Sequence, residues 1–309
     1  MQESALTYLR HGQTPLFRLP STISVANVDV AVLGVPHDAG TTYQPGARLA
    51  PYHLRRVSGL IQGYHPEHGI DVFEALRCVD GGNVAFPPFD REAMRMAVES
   101  EIRQLATARI TPLVIGGDHS VTLPVLRALS KRFGALAVVH FDAHLDLSGP
   151  EVWGDDFHHG TPIRHAIDEG LIEEGQLYQI GVRGPRGTAD DDTLVRRRGH
   201  SLFTADQVAE RGARYLSAEL RERIGSRPVY VTFDLDAIDP AFAPGTGTPV
   251  PGGLTAREAL SLVRGLAGLE ICGADIVEYC PPLDHADITG HLAVNLAWEM
   301  LAALAVTRR

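Results

Sequence analysis

The sequence predicts an α/β protein, a three-layer α/β/α fold with a mostly parallel central sheet. Three observations lead there: short runs rich in Val and Ile, amphipathic segments of helical length between them, and a 309-residue chain, 44% hydrophobic, with no Pro/Ser-rich linker or charge block to divide it. Strands that are apolar throughout are buried on both faces, and strands alternating with helices build parallel βαβ units. Length alone would allow roughly two domains. Without a divider we expect one, 1–309, with residues 1–27 as an N-terminal extension.

In chain order, "VDVAVLGVP" (28–36) reads as the first buried strand and "DREAMRMAVESEIRQLATA" (90–108) as an amphipathic helix. "TPLVIGG" (111–117) is a second strand, "VTLPVLRALSKRF" (121–133) a helix, and "LAVVHFD" (136–142) and "LYQIGVR" (177–183) are further strands. "PVYVTFDLD" (228–236) follows, then a helix in "TAREALSLVRGLAG" (255–268), where Thr255 and Glu258 have capping-box spacing. "CGADIVEY" (272–279) is the last strand and "TGHLAVNLAWEMLAALAV" (289–306) the last helix.

Composition narrows the function classes. A formal net charge of −10 disfavours nucleic acid, whose binders need clustered Lys and Arg, and is compatible with a small cationic substrate. Cys78, Cys272 and Cys280 are too few and too irregular for a disulfide framework or a thiolate zinc site, and they fit a reducing cytoplasm. The first 20 residues lack a basic stretch followed by an apolar one, and no later apolar run is read as reaching about 18 residues. The expectation is a soluble cytoplasmic protein that meets no membrane.

In a parallel sheet ligands bind beyond the carboxyl ends of the strands, and the polar residues fall there. "VIGGDHS" places Asp118 and His119 after one strand, "VVHFDAHLD" places Asp142, His144 and Asp146 at and after another, "VTFDLDAIDP" adds Asp234 and Asp236, and "DIVEY" adds Glu278. Buried strands have little reason to end in repeated carboxylates unless something cationic neutralises them. On an extended strand Asp234 and Asp236 would lie about 6.6 Å apart on one side, within reach of a common two-metal centre. Asp142 and Asp146 would be about 13 Å apart on a straight segment, so the chain must curl after His144 if both are ligands.

The candidate ligand set is therefore His119, Asp142, His144, Asp146, Asp234 and Asp236. Four carboxylates balance two divalent cations, and imidazole with carboxylate but no thiolate suits Mn²⁺ first, with Zn²⁺, Co²⁺ or Ni²⁺ possible. A water shared by two such ions can lose a proton near neutral pH, which points to hydrolysis. "DDFHHGTP" (155–162) supplies two further imidazoles, His158 and His159, in an acid-rich loop where a mobile proton carrier would be useful.

With "GGDHS" (116–120), "FDAHLD" (141–146), "HHGTP" (158–162), "FDLDAIDPAFAPGTGTPVPGGL" (233–254) and "DIVEYCPP" (275–282) in view, the chain resembles the ureohydrolases, the arginase and agmatinase family. The wording is most similar to the agmatinase branch, which includes guanidinobutyrase, guanidinopropionase and proclavaminate amidinohydrolase. The resemblance implies an arginase-like fold, two Mn²⁺ per subunit and a homo-oligomer, commonly a trimer or hexamer. It implies one ion on His119, Asp142, Asp146 and Asp234 and the other on Asp142, His144, Asp234 and Asp236, with Asp142 and Asp234 bridging. His159 would be the proton shuttle, Glu278 the carboxylate that receives the guanidinium, and Asp146 both a ligand and a catalytic carboxylate.

The implied reaction is hydrolysis of the guanidinium group of a linear guanidino compound to urea and an amine. Agmatine, giving putrescine, is the first candidate because Glu151, Asp155 and Asp156 in "LSGPEVWGDDFHH" (147–159) would favour a cationic tail. A guanidino acid is the alternative, with Arg164 or Arg183 to meet its carboxylate. Gln44 and Asn83 stand where the family often has Arg and Asp, and Tyr279 and Cys280 replace smaller residues after Glu278, which places bulk near the substrate. A one-zinc deacetylase would need fewer carboxylates, a two-metal phosphoesterase would want gathered basic residues, and a non-catalytic relative would have lost a ligand or the proton carrier.

Overall fold

The computed structural model describes residues 15–21, 27–186 and 190–308, with no account of the side chains of residues 190 and 191. Within the expected N-terminal extension, residues 1–14 and 22–26 lie outside the described residues. Of the remainder, Leu16, Phe17, Arg18 and Leu19 are buried in the body of the protein.

Among the described residues one sheet has eight strands, all paired in parallel: β1 Val30–Gly34, β2 Cys78–Asn83, β3 Thr111–Ile115, β4 Leu136–Phe141, β5 Ile172–Val182, β6 Ser201–Thr204, β7 Pro228–Asp234 and β8 Glu270–Val277. Their order is β2-β1-β3-β8-β7-β4-β5-β6. The six runs read as strands are six of these eight. The short edge strands β2 and β6 escaped the reading because "CVDGGN" and "SLFT" offer too little continuous apolar sequence to signal a buried strand.

Helices cover both faces, so the sheet separates two cores. On one side Ala31, Leu33, Val114 and Val138 pack with Met94, Val98 and Ile102 of α2 (Arg91–Thr107) and Leu126 of α3 (Thr122–Phe133). On the other, Val30, Val139 and Val231 pack with Leu54 of α1 (Ala50–Val57), with Leu262 of α8 (Ala256–Arg264) and with α9 (Ile288–Thr307). Each Val or Leu so enclosed contributes about 1.5–3 kcal/mol relative to exposure. The Thr255–Glu258 capping box is present at the start of α8.

One expectation needs correction. Helix α9, 20 residues, is long and apolar enough to cross a membrane, whereas no such run was read from the sequence. Its setting is that of a core helix: 78% of the stretch is buried, and Glu299 in its middle accepts from Arg264 Nε at 3.1 Å and faces His65 Nε2 at 3.1 Å.

The four strands whose carboxyl ends carry the polar motifs are contiguous at the centre of the sheet: β3, β8, β7 and β4. Their ends are level, with Ile276 opposite Ile115, Val277 opposite Asp234, and Phe141 opposite Phe233. Stacked Phe141 and Phe233 rings, centroids 4.8 Å apart, hold the last two together beneath the polar edge.

Candidate metal centre and cavity

His119 leaves β3 through a turn that only glycine permits, since a Cβ on Gly117 would fall 1.6 Å from the His37 carbonyl oxygen. Its Nε2 lies 2.9 Å from Thr232 Oγ1, which aims Nδ1 at three carboxylates: Asp146 Oδ2 at 3.0 Å, Asp142 Oδ2 at 3.1 Å and Asp234 Oδ2 at 3.2 Å. His144 Nδ1 lies 3.0 Å from Asp236 Oδ2 and 3.3 Å from Asp142 Oδ1. All six predicted ligand residues thus meet in one cluster. His119, Asp142 and Asp146 share one group of mutually close donor atoms with His140; Asp142, His144 and Asp236 form the other, and Asp234 stands against the first.

The extended-strand geometry expected for Asp234 and Asp236 does not hold, because the chain turns there. β7 ends at Asp234, and Leu235–Ala237 is a single 3-10 turn in which Asp234 Oδ1 accepts from the Asp236 N–H at 2.8 Å. β4 ends at Phe141; beyond it Asp142 Oδ1 accepts from the His144 N–H at 2.6 Å, and Asp146 takes a left-handed backbone, φ 54°. This is the curl that ligation by both Asp142 and Asp146 requires. Gln179 secures it, donating to the Leu145 carbonyl at 2.8 Å while lying 3.1 Å from His140 Nδ1. His140 Nε2 in turn lies 2.9 Å from Asp142 Oδ2.

The cluster calls for positive charge. Burial pushes the Asp234 carboxyl well above its ordinary value, and Asp236 and Asp142 push it further. The Asp236 carboxylate lifts the His144 imidazole up to about 12 against burial, with help from Asp142. For His119 burial works downward, yet Asp146, Asp142 and Asp234 carry it well above the usual histidine range. His119 Nδ1 and Asp146 Oδ2 are buried and close, yet neither makes a hydrogen bond. That is the arrangement of donors aimed at a third atom. Mixed imidazole and carboxylate donors in this geometry fit a pair of divalent cations.

Glu278 follows β8 at φ 61° and is fully enclosed. Its Oε1 accepts from the His119 N–H and from His159 Nδ1, both at 2.9 Å. Burial lowers the His159 imidazole, but the adjacent Glu278 carboxylate raises it to about 9. His158, the second imidazole of the motif, is turned inward and accepts from the Gly160 N–H at 3.1 Å.

A cavity of about 520 Å³ opens at the cluster, lined by His119, His144, Asp146, Asp234 and Asp236 and also by His159, Glu151, Trp153 and Arg186. Several tail-recognition expectations are corrected here. Asp155 pairs with Arg91 at 2.6 Å and Asp156 does not line the cavity, leaving Glu151 alone of the three loop carboxylates. Arg183 donates to the carbonyls of Asp236 at 2.7 Å, Val250 at 2.6 Å and Gly181 at 2.9 Å, pinning the Asp236 turn, and Arg164 is not in the lining. Tyr279 and Cys280 point away: the Tyr279 hydroxyl donates to Asp284 at 3.0 Å and the Cys280 thiol to the Pro45 carbonyl at 3.4 Å. Asn83 accepts from Arg55 Nη1 at 2.7 Å, a structural role, and Gln44 does not line the cavity.

Sequence reading missed His140, Gln179, Thr232 and Arg186. His140 carried a signal, two positions before Asp142 on an apolar strand. The others depend on strand order.

The sequence profile of the Arginase family matches residues 28–303. The proclavaminate amidinohydrolase of Streptomyces clavuligerus is 44% identical over 301 residues, covering 97% of this chain and 96% of that one. The guanidinobutyrase of Pseudomonas aeruginosa is 41% identical over 303 residues, covering 96% and 94%. The solved structure of the Streptomyces clavuligerus proclavaminate amidinohydrolase superposes with a TM-score of 0.90 at 43% identity, covering 95% of this chain and 97% of that one.

Proposed function

Because the chain belongs to the arginase family and is an amidinohydrolase acting on guanidino compounds, we propose that its substrate is a linear guanidino acid, hydrolysed to urea and an amino acid. The observation that carries this is that one cavity is lined by both charges: the carboxylates of Asp146, Asp234 and Asp236 in the ligand cluster and the guanidinium of Arg186. A guanidinium head and a carboxylate tail match that pair of partners. The names of the two relatives, proclavaminate amidinohydrolase and guanidinobutyrase, support a substrate with an acidic tail.

We assign two divalent cations, Mn²⁺ first, to His119, Asp142, Asp146 and Asp234 and to Asp142, His144, Asp234 and Asp236. When bound they supply Lewis acidity and a lowered pKa for a water nucleophile. The chain's own groups do the rest. Glu278, held by the His119 N–H and by His159 and not itself in the cavity lining, offsets the guanidinium charge. Water adds to that carbon, the bond to the substituted nitrogen breaks, and the departing amine takes a proton. His159 supplies it, holding that proton at neutral pH because of Glu278.

A second reading, agmatine giving putrescine, is favoured by Glu151, the one loop carboxylate in the cavity lining. The test is urea release by manganese-loaded protein from guanidinobutyrate, guanidinopropionate, agmatine, arginine and guanidine. Urea from none of them overturns the assignment, and a clear preference for agmatine replaces the acid reading with the second.

A further inference from the structure

His159 has two ring nitrogens, and Nδ1 is committed to Glu278. Nε2 is therefore the nitrogen free to exchange a proton with the cavity. It faces Thr42: Oγ1 lies 2.9 Å away and the Thr42 backbone N–H 3.4 Å away. The sequence alone gives Thr42 no role, yet it lines the same cavity as the ligand cluster.

We propose that Thr42 is a positioning residue for the proton carrier, its hydroxyl holding His159 Nε2 in both protonation states of the ring. The proposal rests on the reading of His159 as proton donor. An imidazolium Nε2–H needs an acceptor, whereas a neutral Nε2 needs a donor. A carboxylate would serve only the first and a backbone N–H only the second. A hydroxyl serves both by rotating about its C–O bond, so the ring need not move when its proton leaves. The β-branched Thr side chain also has few rotamers to lose.

The main chain sets this contact as firmly as the side chains do. The Gly40 N–H donates to Asp118 Oδ2 at 2.8 Å, the Gly40 carbonyl accepts from the His159 N–H at 3.1 Å, and the Asp118 N–H donates to the His37 carbonyl at 2.8 Å. The segment carrying Thr42 is thus laced to the turn before His119 and to His159 itself. Its approach is close: a Cβ on Gly40 would stand 3.0 Å from Asp118 Oδ2 and 3.3 Å from the His159 nitrogen.

The experiment compares Thr42→Val and Thr42→Ala, which lack the hydroxyl but differ in packing, with Thr42→Ser, which keeps it. Both hydroxyl-free variants should lose about tenfold or more in kcat, part of the roughly 10²- to 10⁴-fold supplied by a positioned general acid, with KM within about twofold. Thr42→Ser should return close to the wild-type kcat, and metal content should match wild type throughout. A wild-type kcat in either hydroxyl-free variant overturns the proposal, and so does Thr42→Ser falling as far as Thr42→Val. Urea release by the unaltered protein separates the two layers: a silent wild type fails the underlying reading, and an active one with an unaffected Thr42→Val fails this inference alone.

Discussion

Arg186→Gln removes the one arginine or lysine among the described residues that line the cavity and leaves a polar, uncharged side chain. The guanidinium is held in place: Nε lies 3.0 Å from Asp192 Oδ1, and Nη1 donates to the Arg183 carbonyl at 2.8 Å. Little rotamer entropy is left to lose when a carboxylate arrives. A charge-assisted hydrogen bond is worth about 1.5–3 kcal/mol. Asp192 already shares the charge and the Arg186 side chain is 23% exposed, so the lower part of that range applies, about 1.5–2 kcal/mol after screening. At about 1.4 kcal/mol per tenfold, kcat/KM for guanidinobutyrate should fall roughly 10- to 30-fold. The loss should sit in KM, because the tail is bound equally in ground and transition states. Initial rates of urea release measure it, with agmatine and an alkylguanidine whose tail carries no charge as controls that should not weaken. An unchanged KM for guanidinobutyrate, or an equal loss with agmatine, would refute the reasoning.

Three further outcomes follow from the geometry. Chelating the metals should lower the melting temperature by roughly 10 °C, since two ions each at about 100 times their Kd add about 5 kcal/mol together; calorimetry before and after Mn²⁺ is restored reads it, and an unchanged melting temperature would remove the metal assignment. His159→Asn should cut kcat by about 10²- to 10⁴-fold with metal content unaltered, and full turnover in this variant would exclude His159 as the proton carrier. Glu299→Leu should cost roughly 2–4 kcal/mol in urea unfolding, because His65 and the partly exposed Arg264 lose their buried partner. The folded fraction of that variant should keep wild-type kcat, as Glu299 sits in α9, outside the cavity.

Much of this protein is legible in its sequence because the signals are local. A strand buried on both faces must be apolar, so six of the eight strands of the parallel sheet among the described residues show as Val- and Ile-rich runs. Edge strands bury less and were passed over. Ligand residues were legible because carboxylates and imidazoles after buried strands have few other uses. Their geometry was not: Asp236 and Asp146 reach the cluster through a 3-10 turn and a left-handed residue, which depend on contacts with Asp234 and Gln179. The tail chemistry was least legible. Charge counted along residues 147–159 gave three acids, but a side chain acts where it points, and Asp155 points at Arg91.

By itself, then, the sequence determined an α/β chain of one family, the six residues offered for metal, and His159 and Glu278 as separate candidates, whose contact only the structure shows. Tertiary structure alone decided that β3, β8, β7 and β4 stand side by side with level ends, bringing together groups as distant along the chain as His119 and Glu278. It also decided that Arg186 rather than Arg183 faces the cavity and that Thr42 meets His159. The reason is range. Apolar periodicity and turn chemistry act over a few residues, whereas the order of the strands and the meeting of His119 with Glu278 or of Thr42 with His159, each pair more than a hundred residues apart, are set by packing between separate segments.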